Sequence, residues 1–401
     1  MKNENNLKIL MVCTEYPPMH GGIGRYTHNL VKALKNINID VCICSGNEGN
    51  GEFKGLSPTN SNNSNLLLKV VDKLNPDIVH VQMEHGLYGF ELDSLLTGKM
   101  TSLEYFYLKC TRPIITTFHS SYDFKQWLNL VSIKYKKWNL KKISEYYRRI
   151  LSYNLFHKLN KRISNQSSTS IVCSHNLARL IPGCKVIYHG SNSYFPQTFS
   201  KKDARKKLNI PLNSKIILAL GFFTSTKGWD IINQMKIPDD WIIILNHSRN
   251  HYSKQNFDKE ITNSKNKNKI INLDKKYLSE YDLSLLFHSS NVVILPYKVC
   301  SGSGVMFDAL GHGIPFISSE LNFFKEFSDM NLGIMVKRKP DQFVNALKYI
   351  DKNYLYYISN IAEFKLKLDW NRIAVQHLET YLDTMKNERS EIKEYNKAVI
   401  S

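Results

Sequence analysis

The sequence predicts an α/β protein built from two doubly wound domains, and three observations carry that reading. Short runs rich in Ile and Val alternate with longer segments of helical period. The runs lack polar alternation, as strands covered on both faces of a parallel sheet should. The pattern also occurs twice, resuming after the loop around residues 191–202. A length of 401 residues allows two to three domains, and two account for the pattern.

The elements follow in order. A polar start, Met1 to Asn6, leads into a strand at 7–13, so no secretory signal is expected. Helix 24–36, strand 39–45, helix 64–74 and strands 77–82, 112–119 and 169–174 complete the first half, with helices as the crossovers of a parallel sheet. The second half has strands at 215–220, 241–245, 291–295 and 314–318. Residues 46–65, rich in Gly, Asn and Ser, read as a mobile loop, and the basic, polar residues 246–268 as mostly loop. Residues 369–400 carry helical signals.

Composition narrows the function. Hydrophobic residues at 42% and charged residues at 22% exclude a disordered, collagenous or coiled-coil chain. A net charge of +19 calls for an anionic partner: nucleic acid, acidic lipid or a phosphorylated ligand. No RNA- or DNA-binding motif is present, so a nucleic-acid partner is not expected. The seven cysteines are scattered without a C-x-x-C pair, which indicates neither a zinc ribbon nor a disulfide framework. No apolar run is long enough to span a bilayer, and a cytoplasmic protein is expected.

Residues 125–162 stand apart, with eleven Lys and Arg against Glu145 alone. Leu140, Ile143, Tyr147, Ile150, Leu151, Leu155 and Leu159 recur there at helical spacing among interleaved aromatics. Two readings stand: a helix lying on an anionic membrane surface, or one packed on its own domain with its lysines in water.

Three small-residue loops carry the chemistry. Pro17 to Tyr26, with Gly21, Gly22 and Gly24, follows the first strand and opens a helix, where backbone N–H groups attract negative charge. It is neither a G-x-G-x-x-G fingerprint nor a P-loop, and it also fits a tight connection with no ligand. Gly221 to Asp230 follows a strand of the second half, and Lys227 there is suited to a departing phosphate. Ser301 to Pro315 again precedes a helix, offering free N–H groups to a diphosphate. Asp308, one turn inside, either accepts hydrogen bonds from sugar hydroxyls or complements the helix dipole.

Together the loops resemble, over nearly the whole length, the GT-B glycosyltransferases and specifically the family-4 retaining type. Asp77 to Gly89, containing Glu84, is similar to the D-V-V-H-V-Q-H-E-F-G-x-x-G segment of one subgroup. Pro113 to His119 resembles the strand whose terminal His lines the catalytic cleft, and 186–190 the last strand before the linker. Asp369-Trp370-Asn371 resembles the start of the C-terminal helix.

The resemblance implies two Rossmann-like domains facing a central cleft: 1–195 for the acceptor, 196–368 for the nucleotide sugar, and a 369–401 helix crossing back to the first. It implies transfer from a UDP- or GDP-linked donor to a glycan or lipid-linked acceptor, with retention and without a metal or other cofactor. His119 and Lys227 would be catalytic. Gly21, Gly22, Gly221, Lys227, Cys300, Ser303, Gly304, Val305 and Asp308 would meet the donor, and Gly24, Glu84 and His119 the acceptor.

The pattern departs from the family at two points. Cys300 and Asp308 occupy positions where the family has two Glu residues, and Phe222 and Phe223 replace a phosphate-loop Arg, which leaves Lys227 as that loop's cation. Arg179 either adds charge to the cleft or sits on the surface. The expectation is a cytoplasmic transferase, peripheral to the membrane through residues 125–162 and serving cell-envelope, polysaccharide or glycoprotein glycan synthesis. The alternative is a catalytically silent protein of the same fold that binds a glycan or nucleotide sugar as a partner subunit.

Overall fold

The computed structural model describes residues 7–90, 92–135, 137–191, 199–248, 267–273, 275 and 277–400, the side chains of 267, 389 and 391–400 excepted. Most of the 191–202 and 246–268 loops, and Lys136 of the basic stretch, therefore lie outside the described residues. Two compact units are present: residues 1–128, 137–188 and 370–401 in one, residues 129–136 and 189–369 in the other.

The first unit holds strands β1 (Lys8–Cys13), β2 (Asp40–Gly46), β3 (Phe53–Leu56), β4 (Ile78–Met83), β5 (Ile114–Phe118), β6 (Thr169–Val172) and β7 (Lys185–Val186). They pair in parallel in the order β3-β2-β1-β4-β5-β6-β7. The helices are α1 (Gly22–Asn36), α2 (Asn63–Leu74), α3 (Leu92–Thr97), α4 (Ser102–Lys109), α5 (Phe124–Lys134), which passes into the second unit after Leu128, α6 (Leu140–Gln166) and α7 (His175–Leu180). In α1 the buried positions Tyr26, Leu30, Val31 and Leu34 fall on one side at three- and four-residue spacing and pack on Ile9, Met11, Val41 and Ile43 of the sheet. α4 starts at a reciprocal cap between Thr101 and Glu104.

The second unit has strands β8 (Lys215–Phe222), β9 (Trp241–Ser248), β10 (Ile270–Asn272), β11 (Val292–Leu295), β12 (Phe316–Ser319) and β13 (Gly333–Val336). They too are parallel, in the order β10-β9-β8-β11-β12-β13. Its helices are α8 (Lys201–Lys207), α9 (Trp229–Gln234), α10 (Glu280–Ser289), α11 (Gly304–Gly311), α12 (Asn322–Asp329), α13 (Pro340–Lys352) and α14 (Tyr354–Phe364). The last helix, α15 (Trp370–Ile400), belongs to the first unit, where Trp370, Ile373, Ala374 and Tyr381 join the core with α1.

Each sheet reverses its strand order once, between β1 and β4 in the first and between β8 and β11 in the second. Ligands of open α/β sheets bind outside the carboxyl ends of the strands at such a reversal. The loops that matter are therefore those after β1 and β4, and those after β8 and β11.

The predicted strands lie within a few residues of the observed ones. β8 and β9 run on past Leu220 and Leu245 through a polar end, Gly221 opposite His247 and Phe222 opposite Ser248. The mobile loop expected over 46–65 is corrected: it contains the edge strand β3 and the start of α2. A four-residue strand with Gly55 inside it has no apolar pattern to announce it, and backbone pairing with β2 holds it. The edge strands β10 and β13 went unpredicted for the same reason.

Candidate active site

The Gly-rich loop after β1 wraps a carboxylate of its own chain. Glu15, buried, accepts hydrogen bonds at Oε1 from the N–H groups of Ile23 (2.9 Å) and Gly24 (3.2 Å), in the first turn of α1. A Cβ on Gly21 would lie 2.0 Å from the Glu15 carboxyl carbon, and one on Gly24 would lie 2.4 Å from the Glu15 carbonyl oxygen. These glycines are there because side chains would displace Glu15. Two N–H groups of this helix start thus meet a carboxyl of the chain itself.

Across the reversal point, Glu84 follows β4. Burial pushes its carboxyl up to about 7, and the Glu15 charge adds to that, against hydrogen bonds from Ser120 and the Gly86 and His85 N–H groups. Glu84 is thus a carboxyl that titrates near neutrality beside a second carboxyl. His85 beside it is structural: its Nε2–H donates to Asn160 Oδ1 at 2.7 Å and its ring packs on Phe156.

His119, half-buried at the end of β5, is held by a chain of buried polar groups. Its Nε2–H donates to Gln82 Oε1 (2.9 Å), and the Gln82 amide donates to His80 Nε2 (3.2 Å). That assigns the proton of the neutral His80 ring to Nδ1, which donates to Tyr381 Oη on α15 (2.8 Å). Burial holds His80 well below the usual histidine range, with His377 and His119 adding to it. The Tyr26 ring packs edge-on against His119 at 5.0 Å.

At the second sheet, Lys227 ends a 3-10 turn after β8, with Nζ 3.8 Å over the centre of the buried Tyr297 ring. Gly228 follows in the left-handed region (φ +72°), and a Cβ there would sit 1.9 Å from the Pro296 carbonyl oxygen. The loops after β8 and β11 are therefore locked together, also through Lys298 N–H donating to Thr226 O at 2.8 Å.

The second unit supplies cations that sequence reading missed. Arg338, just past β13, donates to Asp230 Oδ1 at 2.6 Å and to Pro296 O at 3.0 Å, and Lys298 Nζ lies 3.3 Å from Asp230. Burial pushes the Asp230 carboxyl up, but Arg338 and Lys298 outweigh it and hold it below its ordinary value. Lys227 is thus not the loop's lone positive neighbour. Nothing in the order of the chain links residue 338 to residue 230; only the sheet does.

Ser303 caps α11 by accepting from Met306 N–H at 3.3 Å, which leaves the first-turn N–H groups of Gly304 and Val305 ahead of the helix's first bond. His189 lies at this helix start, its ring parallel to Phe307 at 5.4 Å and its Nε2 3.4 Å from where a Gly304 Cβ would stand. It is a second residue that sequence reading passed over, having been read only as part of a strand. Cys300 is buried, with Sγ–H donating to Gly302 O at 3.4 Å; burial pushes its thiol up to about 12 against the pull of Lys227, so it is neutral. Asp308 is only 2% exposed, on the inner side of α11. Arg179 is exposed in the last turn of α7.

Comparison with known proteins follows this geometry. Residues 20–190 match the family model described as Glycosyltransferase Family 4. Searched by sequence, curated proteins give no match. Among solved structures, sucrose-phosphate synthase from Thermosynechococcus elongatus is similar at a TM-score of 0.67 and 16% identity, over 95% of this chain and 100% of that one. A glycosyltransferase from Rickettsia africae gives 0.65 and 17%, over 96% and 100%. HepE from Anabaena, solved in complex with UDP, gives 0.64 and 16%, over 94% and 100%. The two reversed parallel sheets and the likeness to these structures lead to one assignment: the chain has the two-domain GT-B fold, and its residues 20–190 resemble the Glycosyltransferase Family 4 segment.

Proposed function

We propose that the protein transfers a sugar from a nucleotide-sugar donor to the hydroxyl of a glycan or lipid-linked acceptor, with retention at the anomeric carbon and without a metal. The observation that carries the reading is the reversal point of the second sheet, where Lys227 and the start of α11 meet two interlocked loops. When the bond between the anomeric carbon and the diphosphate breaks, negative charge collects on the departing phosphate. An ammonium and two N–H groups fixed beforehand are the partners such a charge needs. In this reading Gly221, Lys227, Ser303, Gly304 and Val305 receive the diphosphate, and Cys300 faces the donor as a neutral thiol. Asp308 acts on the ribose. His119, with its Nε2 proton committed to Gln82, and Glu84, near its own titration at neutral pH, serve the acceptor side beside Gly24. Gly21 acts on the donor through the Glu15 it makes room for, and Gly22 as the first residue of α1. The complex of HepE with UDP supports a uridine nucleotide as the first donor to try.

A second reading, a catalytically silent binding partner, is favoured by Cys300 standing where the family has a carboxylate. Nucleoside diphosphate release from a panel of UDP- and GDP-sugars separates the two. Release from one donor, reduced about 100-fold or more by Lys227→Ala, supports the transferase. Donor binding by calorimetry without release, even when candidate acceptors are added, selects the silent partner.

A further inference from the structure

The aliphatic stripe predicted in residues 125–162 faces outward. Leu140 is 84% exposed and Tyr147 65%, and Ile143, Ile150 and Leu151 are exposed beside them. At 3.6 residues per turn these five fall within an arc of about 100° on the first three turns of α6. Trp138, immediately before the helix, is 72% exposed. Its indole is held there by stacking on Tyr146 at 5.8 Å and by Lys142 Nζ 4.5 Å over the ring.

The opposite side of α6 is the anchored one, and it is polar and aromatic. Glu145, buried, pairs with Arg148 (3.3 Å) and Arg149 (3.7 Å). The Arg149 guanidinium lies 4.5 Å over Trp127, whose ring stacks on Phe156 at 4.6 Å. Asn160 holds His85 one turn further on. A helix that buries charges and displays Leu and Ile is inverted relative to an ordinary surface helix. Rolling it over would take Arg149 off Trp127 and Asn160 off His85, so the apolar stripe is fixed in place.

Charge complementarity identifies the occupant. Lys137 and Lys141 are exposed next to the stripe, and Lys158 and Lys161 continue the exposed side of α6. An apolar strip edged by lysines, with an outward Trp at one end, fits the boundary between acyl chains and anionic head groups. We infer that α6 docks the protein on an anionic lipid bilayer through Trp138, Leu140, Ile143, Tyr147, Ile150 and Leu151. The docking does not depend on the transfer chemistry, and its test needs no donor or acceptor.

The test is co-sedimentation of the full-length protein with vesicles of phosphatidylcholine alone and of phosphatidylcholine mixed with phosphatidylglycerol. Pelleting with the mixed vesicles only is expected. Lys137→Gln and Lys141→Gln should each weaken it about fivefold. The triple change Leu140→Asn, Ile143→Asn, Ile150→Asn should abolish it while leaving thermal unfolding unchanged, since these side chains are already in water. The emission shift of the protein on adding mixed vesicles should be lost in Trp138→Phe. No pelleting of the wild type, or pelleting unaffected by either set of changes, overturns the inference. So does a lipid-free dimer, by sedimentation velocity, that the triple change dissociates, because a second copy would then cover the stripe.

Discussion

Replacing Glu84 by Gln should remove the pH dependence of stability that this residue imposes. Its carboxyl rises from an ordinary 4.5 to about 7 in the folded protein, through burial first and the Glu15 charge second. The folded state then holds a proton that the unfolded state gives up between those values. Stability therefore falls as pH rises through that window, and it is fully retained below it. At 1.36 kcal/mol per pH unit the whole effect is about 3 kcal/mol, and about 2 kcal/mol of it falls between pH 5.5 and 8. Water reaching the accessible part of the side chain reduces this somewhat. Gln keeps the shape and never ionises. Urea unfolding at both pH values should show the variant gaining on the wild type by about 1–2 kcal/mol at the higher pH. A wild-type-to-variant difference that is the same at pH 5.5 and 8 refutes the raised carboxyl and the two-carboxylate account with it.

Other expectations follow from single contacts. Gly228→Ala forces a side chain into the left-handed region and against the Pro296 carbonyl; a stability loss of about 2–4 kcal/mol and loss of donor binding are expected, and a variant that melts like the wild type would contradict the loop geometry. Gln82→Leu removes the acceptor of His119 and a donor to His80, and thermal melts should report a cost of about 1–3 kcal/mol. Asp308→Asn keeps the buried shape, so donor affinity by calorimetry should fall with little change in melting temperature; an effect on melting alone restores the helix-dipole role.

The strands of both cores were legible because their chemistry is local. Ile9 to Cys13, Ile78 to Val81, Ile216 to Leu220 and Val292 to Leu295 are nearly unbroken apolar runs, and burial on both faces of a sheet leaves that mark in any single chain. The small-residue loops were legible for a related reason, since close approach of backbone to another group requires glycine. What the approaching group is was not legible. Gly21 and Gly24 read as room for a ligand, and the fold fills that room with Glu15. β3 hid because an edge strand is stabilised by backbone pairing, which any composition can provide.

By itself the sequence determined the class of fold, the two repeats of strand and helix, and the positions of Lys227, Ser303 and His119 in segments that follow strands. These depend on periodicity and on residues adjacent in the chain. Tertiary structure alone decided which distant groups meet: Arg338 and Lys298 on Asp230, Tyr381 on His80, His189 over Phe307. It also decided which side of α6 faces water. Helical spacing defines a stripe but not its direction, because rotation about the helix axis is set by what packs beneath, here Trp127 against Phe156 and Arg149, and His85 against Asn160.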